Sequence, residues 1–94
     1  MITVYVSIGN SDDKLSQVQW SAFVAAVRDQ ARHHAWEIHG EWYSAPDADF
    51  QNACFCIAVS DDEAGRLREC LVQVREHYGQ DSIAWAAAQE TEFI

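Results

Sequence analysis

The first strand-like segment constrains the fold most, because it alternates strictly and then stops at a group of turn residues. Apolar side chains stand at every second position from Ile2 to Ile8, which is the period of a β-strand with one face in a core. Gly9-Asn10-Ser11-Asp12-Asp13 follows at once, and residues of these types favour turns. The pattern predicts a strand over residues 2–8 that stops where a helix is about to begin.

A first helix is predicted directly after this turn. Ser16 and Gln19 stand three residues apart, as in a capping box, and Leu15 and Trp20 have the spacing of a hydrophobic staple. Apolar residues then recur at steps of three and four, which is the spacing of an amphipathic helix. We predict a helix over residues 17–33.

A second helix is predicted in the second half of the chain. Ser60 and Glu63 repeat the spacing of a capping box, and apolar residues at helical spacing follow them. Gly79 stands where a glycine commonly ends a helix. We predict this helix over residues 61–78.

Three further strands complete the prediction, over residues 36–43, 53–59 and 82–89. The segment 44–49 contains the only proline, Pro46, and is interpreted as a loop. Ala86, Ala87 and Ala88 are poor strand formers, so a helix remains an alternative there. The short connection to the preceding helix favours a strand.

The predicted order of elements is β-α-β-β-α-β, which resembles the ferredoxin-like fold. Right-handed crossovers would then place both helices on one face of a four-stranded antiparallel sheet with strand order 4-1-3-2. The resemblance covers residues 1–94 as a single α+β domain. Because it depends on element order alone, it implies a fold and no function.

The net charge limits the classes of partner that this chain can bind. The 94 residues contain 15 acidic and six basic side chains, a formal charge of −9. Such a field repels nucleic acid and anionic membranes, so we expect no direct nucleic-acid binding and no membrane association, and it favours a basic protein partner. Excess acid that merely keeps an apolar chain in solution is the alternative.

Compartment and redox state are predicted from the cysteines and from the start of the chain. Met1 leads directly into the strand pattern, and no apolar run is long enough to span a membrane. Three cysteines are an odd number, and Cys54 and Cys56 are too close along one strand to bridge comfortably. We therefore expect reduced thiols and a cytoplasmic location.

Three loops are predicted to meet at one end of the sheet. They are the connections from strand 1 to helix 1, from strand 2 to strand 3, and from helix 2 to strand 4. We call the polar residues of these loops the acidic edge and predict that a basic partner binds there: Asn10, Ser11, Asp12, Asp13, Asp47, Asp49 and Asp81.

The sheet face that no helix covers is predicted to be small and apolar. An uncovered face of this kind commonly docks another surface, and pairing of two copies is the simplest arrangement. A modestly apolar monomer surface is the alternative. We predict that this open face mediates a homodimer and carries Tyr5, His39, Tyr43, Cys54, Cys56, Ala84, Ala86 and Ala88.

The patterns of metal sites and enzymes are weak or incomplete in this sequence. A calcium loop starting at Asp47 would need glycine where Asn52 stands and glutamate where Ala58 stands. Cys54 and Cys56 form a C-x-C without a second pair, which is not a zinc pattern. No G-x-S-x-G nucleophile motif occurs. We therefore expect no metal, no cofactor and no catalytic residue.

These observations predict a small acidic, non-enzymatic protein-interaction module. It would act as an inhibitor, an adaptor or a nucleic-acid mimic that occupies a basic groove, and compact acidic proteins of this kind include products of phages and mobile elements. The alternative is a small enzyme or ligand-sensing domain that uses the cleft beneath the same loops. Its polar candidates would be His39, Tyr43 and Asn10.

Overall fold

The structure is a computed structural model that describes residues 1–10, 14–90 and 92–94. Its elements follow the predicted order and are β1 (Ile2–Gly9), α1 (Gln17–His34), β2 (Glu37–Tyr43), β3 (Asn52–Val59), α2 (Asp61–His77) and β4 (Ala84–Ala88). The sheet order is β2-β3-β1-β4, with every neighbouring pair antiparallel. This is the predicted 4-1-3-2 order written from the other edge, so the ferredoxin-like α+β layout is confirmed.

One core joins the sheet to both helices. The inner faces of the central strands β1 and β3 pack against apolar stripes of α1 and α2, and burying a large side chain of this kind stabilises the fold by roughly 1.5–3 kcal/mol. Its largest fully buried side chains are Phe23, Phe55, Ile57, Leu67, Val4, Val6, Val27 and Val59. The core therefore lies on one side of the sheet and leaves the other side uncovered.

The start of α1 has both predicted devices. The Gln19 backbone N–H donates to the Ser16 hydroxyl at 3.2 Å, and the Ser16 backbone N–H donates to the Gln19 side chain at 2.9 Å. Leu15 and Trp20 are both buried, as a hydrophobic staple requires. Sequence therefore predicted this helix start correctly.

The start of α2 has only half of the predicted capping box. The Glu63 backbone N–H donates to the Ser60 hydroxyl at 3.2 Å, but the Glu63 carboxylate does not return to Ser60. It instead lies 2.7 Å from His34 Nδ1 and accepts from Arg66 at 2.6 Å. These two partners lower the pKa of Glu63, with His34 the larger cause. The end of α1 is thereby held against the start of α2.

The end of α2 and the last strand match the prediction with shorter bounds. Gly79 has φ 63°, its N–H donates to the Glu76 carbonyl, and the Gln80 N–H donates to the Arg75 carbonyl, which together form a Schellman motif. The alanine run is a strand, because it pairs along β1 from Thr3 to Ser7. It spans Ala84–Ala88 instead of residues 82–89.

Candidate interaction surfaces

The open face consists of three rows of side chains that cross the whole sheet. Residues directly opposite each other on neighbouring strands share a face, so the registers define the rows. They are Trp42-Cys54-Ser7-Ala84, Gly40-Cys56-Tyr5-Ala86 and Glu37-Ala58-Thr3-Ala88. Among these twelve positions, Glu37 is the one acidic or basic residue, and it lies at the β2 edge in an outer row. The structure therefore places Tyr5, Cys54, Cys56, Ala84, Ala86 and Ala88 on the face where they were predicted.

The placement of Tyr43 on this face was wrong, because β2 contains an irregularity. The register changes between Ile38 and Gly40, which leaves His39 without a direct partner on β3. Before this point the predicted alternation is correct, since Ile38 faces Ile57 of the core side. After it one extra residue inverts the alternation, so Trp42 joins the open face and Tyr43 turns toward α1. His39 is exposed at the bulge itself.

Tyr43 belongs to a polar cluster between α1 and β2. Its ring meets Phe55 edge to face at a centroid distance of 5.8 Å, and its hydroxyl donates to Glu41 at 3.1 Å. Arg32 donates two hydrogen bonds to the same carboxylate, at 2.6 and 2.5 Å. The guanidinium lowers the pKa of Glu41, whereas burial, followed by the Glu41 carboxylate, raises the pKa of Tyr43. The cluster ties the edge strand to the helix layer.

The centre of the open face is a phenol beside a thiol. Tyr5 lies opposite Cys56 in the middle row, and a hydrogen bond to Cys56 is the largest cause that raises the pKa of the Tyr5 hydroxyl. Cys54 and Cys56 are unbridged and half-buried. The Tyr5 hydroxyl is therefore uncharged near neutral pH, which suits the centre of the open face to apolar contact.

Asn10 lies beneath the acidic edge and is not part of its exposed surface. Its side-chain amide donates to the Leu15 carbonyl at 3.0 Å and to Gln51 at 3.1 Å, and it accepts from the Leu15 N–H at 3.1 Å. Its backbone N–H also donates to the Gln51 carbonyl at 2.8 Å. The side chain is buried, so its role is to join the loop after β1 to the loop before β3. The prediction that Asn10 contacts a partner is therefore corrected to a structural role.

Two of the predicted aspartates are fully available on the acidic edge. Asp47 and Asp49 are exposed in the loop between β2 and β3. Asp81 is exposed but forms a 3.0 Å ion pair with Lys14, which partly neutralises it. Ser11, Asp12 and Asp13 lie outside the described residues. The contact between Asn10 and Gln51 places the loop after β1 beside the β2–β3 loop.

The three residues predicted for an enzymatic or ligand-sensing cleft do not converge. Asn10 is buried in the network described above, His39 is at the bulge of an edge strand, and Tyr43 faces α1. The cleft beneath the loops has a volume of about 380 Å³ and is lined by Ser7, Ile8, Gly9, Gln80, Asp81, Ser82 and Ala84. None of the three predicted residues lines it.

The described part of the chain has neither a group of metal ligands nor a membrane-spanning helix. Within residues 1–10, 14–90 and 92–94, no three histidine, cysteine or acidic side chains are grouped as metal ligands would be. No helix among the same residues has the length and apolar character needed to cross a bilayer.

Sequence reasoning missed two features, of which only the first had a signal in the sequence. Trp42 is exposed on the open face, and its position follows from the bulge, for which an isolated glycine in a strand, here Gly40, is a recognised indication. The contact between Arg32 and Glu41 joins residues nine apart. It depends on how α1 packs against β2, so no local pattern could reveal it.

Comparison with known proteins shows a distant structural likeness. No protein family profile and no curated protein matches the sequence. A crystal structure from Burkholderia cenocepacia, described provisionally as an amidohydrolase/peptidase, aligns with a TM-score of 0.37 and 15% identity over 96% of this chain. The chain spans 27% of the length of that protein. A likeness at this level supports neither a family nor an activity.

Proposed function

We propose that this protein is a small acidic interaction module without catalytic activity, and that it self-associates through the open face. The observation that carries the proposal is the composition of the three rows, whose twelve positions are four alanines, two cysteines and one each of serine, threonine, glycine, tyrosine, tryptophan and glutamate. Tyr5 and Trp42 are both exposed there. Exposed aromatic side chains on a nearly uncharged surface are typical of protein interfaces.

The size of the open face limits the strength of a dimer. Four strands about 4.8 Å apart and roughly 20 Å of strand length give a flat area of about 400 Å². A stable interface buries about 800 Å² on each partner. We therefore propose a weak dimer with a dissociation constant in the micromolar range or above, in which Trp42 and Tyr5 are the principal anchors.

The acidic edge is proposed as a second surface, which binds a basic protein partner. Asp47 and Asp49 are exposed in the loop between β2 and β3, beyond the row that contains Trp42. A partner would meet negative charge there. An inhibitor, an adaptor or a mimic of nucleic acid would each use such an edge, and a phage or mobile-element origin fits these roles.

We propose a cytoplasmic location on the basis of the cysteines. Cys54, Cys56 and Cys70 are all unbridged, and free thiols persist in reducing compartments. Treatment of the purified protein with oxidised glutathione tests whether the two thiols of the open face contribute to self-association. Adducts on Cys54 and Cys56 are expected to weaken self-association, because they add bulk and charge to the open face.

The open face is tested by a matched pair of substitutions on β4. Ala86 lies in the middle row of the open face, whereas Ala87 lies opposite Val4 and points to the helix side, where it is exposed. Ala86→Glu is expected to abolish the dimer in sedimentation velocity, and Ala87→Glu, with the same charge change on the same strand, is expected to retain it. A wild-type protein that stays monomeric at millimolar concentration would refute self-association. Equal effects of both variants would show that the dimer does not form through the open face.

The acidic edge is tested by charge reversal with a second matched pair. Asp47→Lys with Asp49→Lys is compared with Glu69→Lys and Glu90→Lys, which change the net charge equally at exposed sites elsewhere. Tagged variants are used to capture proteins from host lysate for mass spectrometry. A basic protein retained by the second pair and lost by the first supports the edge. Partners retained by both pairs would exclude it.

A further inference from the structure

A small groove lies between α2 and β4, on the helix side of the sheet and away from both proposed surfaces. Its volume is about 120 Å³, and it is lined by Arg68, Leu71, Val72, Arg75, Ile83 and Trp85. The four helical residues follow at steps of three, one and three, which makes one continuous stripe on α2. Leu71 is buried, and Ile83 and Trp85 are partly buried against the core, so the groove has an apolar floor.

The rim of this groove carries Arg68 and Arg75, which are the two arginine or lysine side chains with no ion pair of 3.3 Å or shorter among the described residues. The other four, Lys14, Arg28, Arg32 and Arg66, each lie within 3.3 Å of a carboxylate oxygen. Arg75 is 3.6 Å from its neighbour Glu76. Arg68 lies over the Trp85 ring at 5.4 Å and has no ion pair among the described residues. A chain of net charge −9 thus has a local positive rim around one apolar groove.

Size and charge together define what fits this groove. A cavity of about 150 Å³ in another protein, lined by apolar side chains, binds benzene, so about 120 Å³ suits one phenyl ring or a short branched alkyl chain. Guanidinium groups bind carboxylates with paired, charge-assisted hydrogen bonds. The complementary molecule therefore has one apolar group and one carboxylate.

We propose that the groove of Arg68, Arg75 and Trp85 binds a small monocarboxylate that carries an aromatic or branched aliphatic group. The apolar part rests on Leu71, Ile83 and Trp85, and the carboxylate is held by the two arginines. Arg68 is already oriented by its contact with Trp85, which reduces the conformational entropy lost on binding. The site is independent of self-association and of the acidic edge.

The test uses 3-phenylpropionate as the probe and 3-phenylpropanamide as its uncharged counterpart, with NMR titration of the labelled protein. Saturable shifts of the Trp85 indole and of the amides of residues 68–75 and 83–85 are expected, with a dissociation constant on the order of 1 mM. The amide is expected to bind several-fold more weakly. Equal binding of both probes, shifts elsewhere, or no saturation by 20 mM would overturn the proposal.

Arginine variants separate charge recognition from apolar contact. Arg68→Gln and Arg75→Gln are each expected to weaken 3-phenylpropionate binding several-fold without changing the weak amide binding. Arg66→Gln is the matched control, because Arg66 is on the same helix but is paired with Glu63. A similar loss of 3-phenylpropionate binding in all three variants would show that only net charge matters and would refute the site.

One competing occupant is on the chain itself. Phe93 is exposed and follows Glu92, so this pair has the same chemistry as the proposed ligand. Phe93→Ala is therefore compared with wild type in the absence of probe. Unchanged groove signals support an available site, and shifts confined to the groove would show that the chain fills it and would overturn the proposal.

Discussion

At the residue scale, Asn10 is the side chain with the clearest structural consequence. It satisfies both the N–H and the carbonyl of Leu15 and contacts Gln51, so its removal leaves buried polar groups without partners. Asn10→Ala is expected to lower the free energy of unfolding by about 1–3 kcal/mol, measured by urea denaturation. Asn52→Ala is the control, because the Asn52 amide makes an exposed bond to Phe50. An equal loss in both variants would contradict the assigned role.

Glu41 gives a prediction about pH at the same scale. Arg32 lowers its pKa in the folded protein, so the pair stabilises the fold above the unfolded pKa of about 4.3 and loses this effect as pH falls through the folded pKa. Because the Arg32 side chain is half exposed, Glu41→Gln is expected to cost only about 1 kcal/mol at pH 7.

The difference in the free energy of unfolding between wild type and Glu41→Gln should become smaller below pH 4, as measured by urea unfolding from pH 7 to 3. Glu69→Gln serves as the control, because Glu69 is an exposed carboxylate of α2. A difference that stays constant down to pH 3 would show that the variant acts through packing and not through the ion pair.

At the element scale, α2 offers two glycines with opposite requirements. Gly79 has φ 63°, which costs a side-chain-bearing residue about 1–2 kcal/mol. Gly65 lies inside α2, and a Cβ there meets nothing within 4 Å, so alanine should favour the helix by about 0.5–1 kcal/mol. The midpoint temperature of thermal unfolding is expected to fall for Gly79→Ala and to rise for Gly65→Ala. Shifts of the same sign would contradict this account of the helix end.

The elements that sequence predicted well are those specified by local chemistry. The alternation of β1, the capping box at Ser16 and the glycine at position 79 each act over a few residues, and each is found in the structure. Element order and handedness then determined the strand order. The open-face positions on β1, β3 and β4 followed from the same alternation.

The parts that sequence did not predict depend on contacts between elements. The Glu63 carboxylate has the spacing of a capping box, yet His34 from α1 competes successfully for it. The bulge at His39 is a property of how β2 pairs with β3. The burial of Asn10 requires Gln51, which is 41 residues away. Each of these outcomes is decided by a partner that is distant along the chain.

At the scale of the whole molecule, net charge acts in opposite directions on the two proposed surfaces. Two copies of charge −9 repel each other, and salt screens that repulsion over about 10 Å at 0.1 M. Self-association is therefore expected to strengthen several-fold between about 20 and 300 mM NaCl, as measured by sedimentation velocity. Binding of a basic partner to the acidic edge is expected to weaken over the same range. A dimer that dissociates with added salt would contradict apolar association.

The bulge in β2 has a consequence for how this surface can change over generations. Loss of the single codon for His39 would remove the bulge and make Ile38 and Gly40 neighbours on a regular strand, opposite the same partners Ile57 and Cys56. Trp42 would therefore stay on the open face and Tyr43 on the helix side. An insertion or deletion of one residue between Gly40 and Trp42 would instead exchange the sides of these two aromatic residues. Relatives of this protein are therefore best compared by which side each β2 residue occupies, because the same change in length is silent at the bulge and alters the binding surface two residues later.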